Sequence, residues 1–436
     1  MLRMMSNFVR QSHRLWLLAF CLAVYAAPAN AESWNTTISD IPTTPPRVVV
    51  VDKASQRLAL LGRQSPLSIL QAYECTTGQK PGPKVVQNDL RTPEGVYFVV
   101  NKIAQGLDFG EYGGVAYTLN YPNPIDILRE KTGYGIWIHS RGYPISPMST
   151  RGCVAVNLDA IEELDPHLQT GTAVVLAEKV ATATDAASSS SPENAIARLL
   201  EDKTRRWNSA WAGRSDAMFE MYDADAYAKA QRQPFAAFKA QKERLFAILP
   251  WIHIIYRDIH VLQGPDYWVT WFEQYYRAPN ITTEGIRRLY WQPDANGELR
   301  IVGMEWLPQD LGLEVAYLET ITPGVTRFVE AWRGAWLKAD VEAYGAFYTE
   351  DAVQGAIKGR SQIMQSKKTL WSRKKPVKVE LTGLRVMLSK GGIEVDMTQI
   401  FRDSSGKGDK GVKTLMLHPQ GESWLISSDT WSALKP

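Results

Sequence analysis

Short apolar or alternating runs separated by turn-forming residues dominate the chain from residue 47 onward. Residues 48–51 and 57–61 are mostly aliphatic, and apolar and polar side chains alternate over much of 68–75. Glycine and proline punctuate residues 78–83. Runs of roughly four to eight such residues between turn formers are typical of β-strands. This part of the chain is therefore predicted to be a mostly β domain.

Helical signals are few in the first domain. A short helix is predicted over 159–164, with Asp159 as its cap. Alanine, threonine and serine fill residues 181–192, a low-complexity stretch that has nothing to bury. We therefore predict a first domain over 46–178 and a linker over 179–194.

An internal repeat follows the linker, with four landmarks that recur at an offset of 125 or 126 residues. Each copy is predicted to begin with an amphipathic helix, continue with a Tyr-x-x-Asp-Ala turn and end in alternating strands. Tryptophans at helical spacing are usually core residues. Two tandem α+β domains are predicted over 195–310 and 322–436. The landmarks are Trp207 and Trp211 with Trp332 and Trp336, residues 274–277 with 399–402, Trp306 with Trp431, and residues 222–226 with 348–352.

The first 31 residues have the pattern of a secretory signal. Three arginines precede an apolar run over 15–27, and residues 29–31 read Ala-Asn-Ala, a small-x-small cleavage site. The apolar run is shorter than the roughly 20 residues that span a bilayer comfortably. We expect an exported, periplasmic protein; the alternative is that the segment stays as an N-terminal anchor.

Charge and cysteine content narrow the function classes. The chain has 49 basic and 46 acidic residues, and the signal holds three of the basic ones, which leaves 46 of each sign. This balance argues against broad nucleic-acid binding, which needs a basic surface. The histidines are scattered and no cluster has zinc-like spacing, so neither a metal nor a cofactor is predicted. Cys75 and Cys153 are the cysteines outside the signal. In an oxidising compartment they could form a disulfide, but we favour two free thiols, with Cys75 buried and inert.

The candidate chemistry is a cysteine with a nearby histidine. His139 ends the apolar run 135–139, and Cys153 follows Gly152 fourteen positions later, where a second apolar run begins. A thiol with its reference pKa of about 8.5 is mostly protonated at neutral pH, so a nucleophilic cysteine needs a base. The alternative is a buried structural cysteine with an unrelated surface histidine.

Residues 48–176 resemble the L,D-transpeptidase (YkuD) catalytic domain of bacterial cell-wall enzymes. In that family a histidine precedes a Ser/Thr-x-Gly-Cys signature, and Ser149-Thr150-Arg151-Gly152-Cys153 is similar to it. The repeated domains resemble the nuclear transport factor 2-like, or SnoaL-like, cone fold. The two resemblances imply an α+β protein in which a mostly β catalytic domain is followed by two cones. Further similar segments of the first domain are residues 91–97, 121–123, 132–133 and 171–175.

The resemblance implies specific roles for several residues. Cys153 would be the nucleophile and His139 its base, oriented by the backbone carbonyl of Ser140, whose hydroxyl would be dispensable. The backbone N–H groups of Gly152 and Cys153 would hold the oxyanion. Arg151 stands where many family members have histidine, and is either a contact for a substrate carboxylate or part of a structural ion pair. Three aromatic residues are predicted to line the cleft: Tyr121, Tyr134 and Trp137.

The implied substrate is a peptidoglycan stem tetrapeptide, cleaved between the L-centre of diaminopimelate and the terminal D-Ala through a thioester. We expect transfer of the acyl group to an amine of a neighbouring stem, which makes a 3-3 cross-link. Hydrolysis to a tripeptide, an L,D-carboxypeptidase activity, is the first alternative, and attachment of a lipoprotein lysine is a further fate of the thioester. A non-catalytic wall-binding scaffold is the rival from another class. The cone pockets are expected to hold a glycan, a peptide or another protein.

Overall fold

The structure is a computed structural model that describes residues 32–64, 66–183, 191–421 and 423–434. The predicted signal, residues 1–31, lies outside the described residues, as do residues 184–190 of the predicted linker. None of the helices in these described ranges is both long enough and apolar enough to cross a membrane.

The first domain is built around a closed barrel of eight strands in the order β2-β3-β4-β8-β7-β6-β5-β9. Three short helices, α1 (Phe109–Tyr112), α2 (Pro124–Leu128) and α3 (Leu158–Leu164), lie in its connections. The domain is mostly β, as predicted. Its strands are β1 (Asn35–Ser39), β2 (Arg47–Asp52), β3 (Arg57–Arg63), β4 (Leu67–Thr76), β5 (Gly95–Ile103), β6 (Ala116–Leu119), β7 (Trp137–Ser140), β8 (Val154–Val156), β9 (Ala173–Ala177) and β10 (Lys179–Ala183).

The unbroken apolar run of β2 has a structural cause. Val49 and Val51 belong to the core inside the barrel, whereas Val48 and Val50 belong to a second cluster that includes side chains of the following domain. Successive side chains of a strand point to opposite faces. Both faces of β2 are therefore buried, so apolar residues occupy successive positions of the strand instead of alternating with polar ones.

Two local predictions need correction. Residues 179–183 form β10, which pairs in parallel with β1, so this part of the predicted linker is a strand. The helix that follows begins at Pro192, with Ser191 accepting a hydrogen bond from the Asn194 N–H, so the linker is shorter than 179–194 at both ends. Helix α3 begins at Leu158 after Asn157, and Asp159 lies in its first turn instead of capping it.

The second domain is a cone in which three helices cover a four-stranded antiparallel sheet. Its core contains Trp207 and Trp211, as the helical spacing predicted. The elements are α4 (Pro192–Ala212), α5 (Ala224–Gln231), α6 (Phe235–Ile248), β11 (His253–Gly264), β12 (Tyr267–Ala278), β13 (Ile281–Pro293) and β14 (Leu299–Pro308).

The third domain repeats this plan with a six-stranded sheet in the order β16-β15-β20-β19-β18-β17. Its opening helix begins at Leu313, nine residues before the predicted start of the domain at residue 322. The elements are α7 (Leu313–Leu337), α8 (Val341–Gly345), β15 (Tyr348–Gln354), β16 (Ile357–Lys358), α9 (Arg360–Trp371), β17 (Pro376–Ser389), β18 (Gly392–Asp403), β19 (Gly408–Gln420) and β20 (Ser423–Ala433).

Equivalent contacts relate the two cones. The Trp207 indole N–H donates to the Tyr222 hydroxyl at 3.0 Å, and the Trp332 indole N–H donates to the Tyr348 hydroxyl at 3.2 Å. The segments that follow these tyrosines differ: residues from 224 onward form α5, whereas 348–354 form β15. The Tyr-x-x-Asp-Ala segment, predicted as a turn in both copies, is therefore a helix start in one cone and a strand in the other.

The first cone packs on the outside of the barrel. Phe98 of β5 meets Trp271 edge to face at 5.1 Å between ring centroids, and the Val96 N–H donates to the Tyr267 hydroxyl at 2.8 Å. The strands that contribute to this contact include β2, β5 and β9. In the closed strand order β7 and β8 lie half a turn from β2 and β9. The first cone thus covers the side of the barrel opposite His139 and Cys153.

Candidate active site

His139 and Cys153 lie on neighbouring parallel strands. His139 of β7 pairs with Ala155 of β8, and Cys153 stands two residues before Ala155. Ile138 and Val154 point into the barrel core, so their sequence neighbours His139 and Cys153 point away from it. Strand spacing puts the Cα atoms of His139 and Cys153 about 8 Å apart. The fold therefore brings the predicted nucleophile and base to one face.

The hydrogen bond of the imidazole ring sets its tautomer. His139 Nδ1 lies 2.6 Å from the carbonyl oxygen of Ser140, and because a carbonyl only accepts, Nδ1 carries the proton and Nε2 is left as the acceptor. The ring is buried and packs against Tyr112 at 5.2 Å between centroids. Burial lowers the pKa of His139 below its ordinary value, and the charge of Arg141 lowers it further, although the bond to Ser140 acts in the opposite direction. The imidazole is thus held neutral and ready to accept a proton.

Cys153 is a free, partly exposed thiol. Its Sγ donates to the carbonyl oxygen of Gly135 at 3.4 Å. Burial of the sulfur raises the pKa of the Cys153 thiol, while the backbone N–H of Trp137 and the charges of Arg141 and Lys84 act to lower it. Burial is the largest of these effects, so the resting pair is a neutral thiol beside a neutral imidazole. Proton transfer to His139 must then accompany attack.

Two buried threonine side chains hold the loop before Cys153 in place through hydrogen bonds. The Thr92 hydroxyl accepts from the Gly78 N–H at 2.9 Å and donates to the Gly152 carbonyl at 3.0 Å. The Thr150 hydroxyl donates to the Cys153 carbonyl at 2.7 Å. Gly152 has φ +131°, and a Cβ there would lie 2.8 Å from the carbonyl oxygen of Arg91, so only glycine fits. The peptide units on both sides of Cys153 are therefore fixed before substrate arrives.

The two predicted oxyanion donors differ in availability. The Gly152 N–H already donates to the Thr150 hydroxyl at 3.1 Å, which does not suit the role predicted for it. The ladder that joins β7 to β8 begins at Val154, which leaves the Cys153 N–H outside it. Of the pair, the Cys153 N–H is the one this geometry leaves for an oxyanion.

Arg141 is a site residue that sequence reasoning missed. Its guanidinium donates to the hydroxyl and the carbonyl of Ser149, at 3.2 and 3.1 Å. From there its positive charge favours the thiolate of Cys153 and the neutral form of His139. Arg141 thus acts with burial in lowering the pKa of His139, and it opposes the rise that burial causes in the pKa of Cys153. The sequence signal that could have identified Arg141 is its position directly after Ser140, which places a cation next to the end of the strand that carries His139.

The remaining predicted site residues lie in different surroundings. Tyr134 is 78% exposed in the loop that also supplies the Gly135 carbonyl, and Trp137 is half-buried against Tyr112. Arg151 is exposed, and no ion pair involves it within the described ranges. Tyr121 is 5% exposed in the barrel core, and its hydroxyl donates to the Thr132 carbonyl at 3.1 Å. Such burial does not suit the cleft-lining role predicted for Tyr121.

Comparison with known families agrees with this division of the chain. Residues 46–176 match the profile of the YkuD family, the L,D-transpeptidase catalytic domain. The barrel is a YkuD domain. Residues 199–305 and 324–429 each match the Cds6 C-terminal NTF2-like domain, so both cones are NTF2-like. The first domain thus belongs to the L,D-transpeptidase catalytic-domain family, and the match covers that domain alone.

Similar solved structures exist for most of the chain. Bd1075 of Bdellovibrio bacteriovorus is 24% identical, over 63% of this chain and 96% of its own, with a TM-score of 0.48. The helical cell shape determining protein Pgp2 of Campylobacter jejuni is 25% identical, over 59% of this chain and 91% of its own, with a TM-score of 0.47. None of the curated proteins matches the chain.

Proposed function

We propose that this protein is an L,D-transpeptidase that uses Cys153 to cleave the bond between diaminopimelate and the terminal D-Ala of peptidoglycan stem tetrapeptides. The observation that carries the proposal is the orientation of His139, whose Nδ1–H is fixed on the Ser140 carbonyl. That bond leaves Nε2 free to accept the thiol proton on the face that also holds Cys153.

The reaction divides into two acyl transfers. The Cys153 proton passes to His139 Nε2 while the sulfur attacks the carbonyl carbon at the L-centre, and the Cys153 N–H stabilises the oxyanion. When the tetrahedral intermediate collapses, the C–N bond breaks and the imidazolium proton goes to the leaving amine of D-Ala. An amine from another stem then attacks the thioester and gives a proton to His139. Expulsion of the sulfur returns that proton to Cys153.

We propose further that the protein works outside the cytoplasm, where its substrate lies. The supporting features are the apolar run over 15–27 and the small-x-small pattern at 29–31. Fractionation of cells that produce the tagged protein tests this, since the tag should be found in the periplasm, and cytoplasmic recovery would contradict it.

The proposed activity is tested with purified protein and disaccharide-tetrapeptide, followed by mass spectrometry of the products. We expect release of D-Ala and a 3-3 linked dimer. Cys153→Ala should release no D-Ala, whereas Cys75→Ala, which removes the other thiol, should release it at the wild-type rate.

The products also separate the alternatives. Tripeptide monomer as the main product would replace the transferase with an L,D-carboxypeptidase. Absence of any D-Ala release from folded wild-type protein would contradict both enzymes and favour the wall-binding scaffold.

A further inference from the structure

The turn between β2 and β3 contacts the nucleophile loop, residues 148–152, through one side chain. The Gln56 amide oxygen accepts hydrogen bonds from the backbone N–H groups of Thr77 and Met148, both at 3.0 Å. Its amide nitrogen donates to the Lys53 carbonyl and to the Thr77 hydroxyl, each at 2.7 Å. A side-chain amide has two donor and two acceptor positions, so Gln56 uses all four of them.

The backbone of Gln56 is strained. Its φ of +53° lies in the left-handed region, which is unfavourable for a residue that has a Cβ. Strain of this kind persists where the surrounding contacts determine the conformation, and it is concentrated near functional sites. Glycine would relieve the strain, but it would also remove the amide group and its bonds to Thr77 and Met148. The side chain at this position therefore serves hydrogen bonding to the loop.

Thr77 follows the end of β4 and pairs with the nucleophile loop. The Thr150 N–H donates to the Thr77 carbonyl at 3.0 Å, and the Gln79 N–H donates to the Thr150 carbonyl at 3.1 Å. Both threonines are 2% exposed. The Thr150 hydroxyl in turn donates to the Cys153 carbonyl. Thr77 and Thr150 thus connect Gln56 to the peptide unit of the nucleophile through buried hydrogen bonds.

Lys53 belongs to the same turn and reaches the loop by a second route. Its Nζ donates to the carbonyl oxygens of Gly82 and Thr92, at 2.8 and 3.3 Å, and pairs with Glu94 Oε1 at 2.7 Å. The lysine and glutamate side chains are 4% and 1% exposed. An ammonium group has three donor positions, and all three have a partner here. Lys53 therefore fixes Thr92, whose hydroxyl donates to the Gly152 carbonyl.

We propose that Lys53 and Gln56 are positioning residues, and that the turn they share holds the nucleophile loop in its reactive conformation before substrate binds. Gln56 acts through Thr77, and Lys53 acts through Thr92, so neither side chain has to touch the substrate. The inference rests on the proposed function for the reaction that is measured. A misplacement of about 1 Å costs an enzyme about 100-fold in rate, and hydrogen bonds that prevent such a displacement therefore contribute to catalysis.

Gln56→Gly and Lys53→Met test the two contacts separately. For Gln56→Gly we expect kcat for D-Ala release to fall about tenfold or more with KM little changed, because the chemical step and not substrate binding depends on the loop. Its midpoint of urea unfolding should stay near that of wild type, since relief of backbone strain offsets the lost hydrogen bonds. Lys53→Met, measured at a temperature at which the variant is folded, should lower kcat in the same way.

The reaction of Cys153 with iodoacetamide separates positioning from a loss of folded protein. Burial raises the pKa of this thiol, so the pH midpoint of alkylation in the wild-type chain should lie above the ordinary value of about 8.5. In both variants the midpoint should move down toward that value, because displacement of the loop exposes the sulfur. A purely structural role would reduce the amount of native protein without moving the midpoint.

Two control variants make equivalent changes in the cones. Arg232→Gly relaxes a residue with φ +51° in the first cone, and Lys413→Met removes a cation that is 9% exposed in the second. Both should keep the wild-type kcat and midpoint. Wild-type values in Gln56→Gly or in Lys53→Met would overturn the role of that residue, as would a change in KM alone. If folded wild-type protein releases no D-Ala, the proposed function fails, while the alkylation midpoints still decide whether the turn positions the nucleophile.

Discussion

His139 and Ser140 are joined by a hydrogen bond of 2.6 Å between the imidazole Nδ1 and the Ser140 carbonyl oxygen. The hydroxyl of the same serine is buried and has no hydrogen-bond partner in the part of the chain that the structure describes. Ser140 therefore orients the base through its backbone alone.

We predict that Ser140→Ala leaves kcat/KM within about twofold of wild type. Removal of a buried hydroxyl without a partner should also leave the free energy of unfolding unchanged or raise it by about 1 kcal/mol. His139→Asn, which removes the base, should lower kcat/KM by about 100-fold or more. Steady-state kinetics and denaturant unfolding measure both effects, and a tenfold loss in Ser140→Ala would show that the hydroxyl takes part.

The pH dependence follows from burial of the two site groups. Burial lowers the pKa of His139 and raises the pKa of Cys153. We expect kcat/KM to fall only when the pH drops below the ordinary histidine pKa of about 6.5, because protonation then removes the base. The same shift makes the unfolded chain bind more protons than the native one below about pH 6.5, so His139 lowers stability as the pH falls from there to its folded pKa. A pH–rate profile with an acid midpoint above 6.5 would contradict this arrangement.

Thr92 is predicted to be essential to the geometry of the nucleophile loop. Thr92→Val keeps the shape of the side chain but leaves the Gly78 N–H and the Gly152 carbonyl without their partner. Two unpaired buried groups should lower the free energy of unfolding by about 2–4 kcal/mol, and kcat/KM should fall with it. Thr92→Ser, which retains the hydroxyl, should recover most of both; equal loss in Thr92→Ser would point to packing of the methyl group instead.

The two cysteines should differ in reactivity. Cys75 is 3% exposed, and burial raises the pKa of its thiol to about 12, whereas Cys153 is partly exposed. With a thiol reagent at pH 8 and mature protein, which lacks residues 1–31 and so Cys21, we expect one group to react in the native state and two after unfolding without reductant. Cys153→Ala should show none in the native state and one after unfolding. No reactive thiol in the unfolded, unreduced wild type would mean that the cysteines are joined.

An ion pair buried in the second cone predicts a large effect on stability. Lys413 Nζ lies 2.5 Å from Asp429 Oδ1, with side-chain exposures of 9% and 0%. Lys413→Met should lower the free energy of unfolding by about 3–5 kcal/mol, because it leaves a buried carboxylate without its cation. Lys378→Met, from an exposed pair with Glu380, should change it by less than about 1 kcal/mol. Urea denaturation of the full chain compares them, and similar losses in both variants would show that burial does not decide the effect.

Sequence could identify the chemistry of the site more readily than its surroundings. His139 ends one apolar run and Cys153 stands at the start of the next, within a recognisable signature. The local pattern is therefore sufficient to identify both residues. The roles of Thr92 and Arg141 depend on loops that meet only in the folded barrel. Tyr121 is an aromatic residue of the kind that often lines a cleft, but closure of the barrel buries it. A local sequence pattern does not reveal that burial.

The cones show the same limit. The repeat spacing predicted two similar domains with buried tryptophans, and Trp207 and Trp332 are indeed 1% and 0% exposed. The segments after Tyr222 and Tyr348 are alike in sequence, yet one forms a helix and the other a strand. Tyr222 makes a single parallel bridge with Ile301, whereas Tyr348 pairs with Ile426 as part of a longer strand contact. Backbone pairing with a distant strand, and not local propensity, decides between the two conformations.

The sequence by itself determined the mostly β first domain, the tandem repeat and the residues of the thiol–imidazole pair, because periodicity and short motifs are local properties of a chain. Only the tertiary structure decided that burial holds His139 neutral and that the Thr92 hydroxyl pairs with the Gly78 N–H and the Gly152 carbonyl. Such burial and such hydrogen bonds join residues far apart in sequence, and they exist only after the chain has folded.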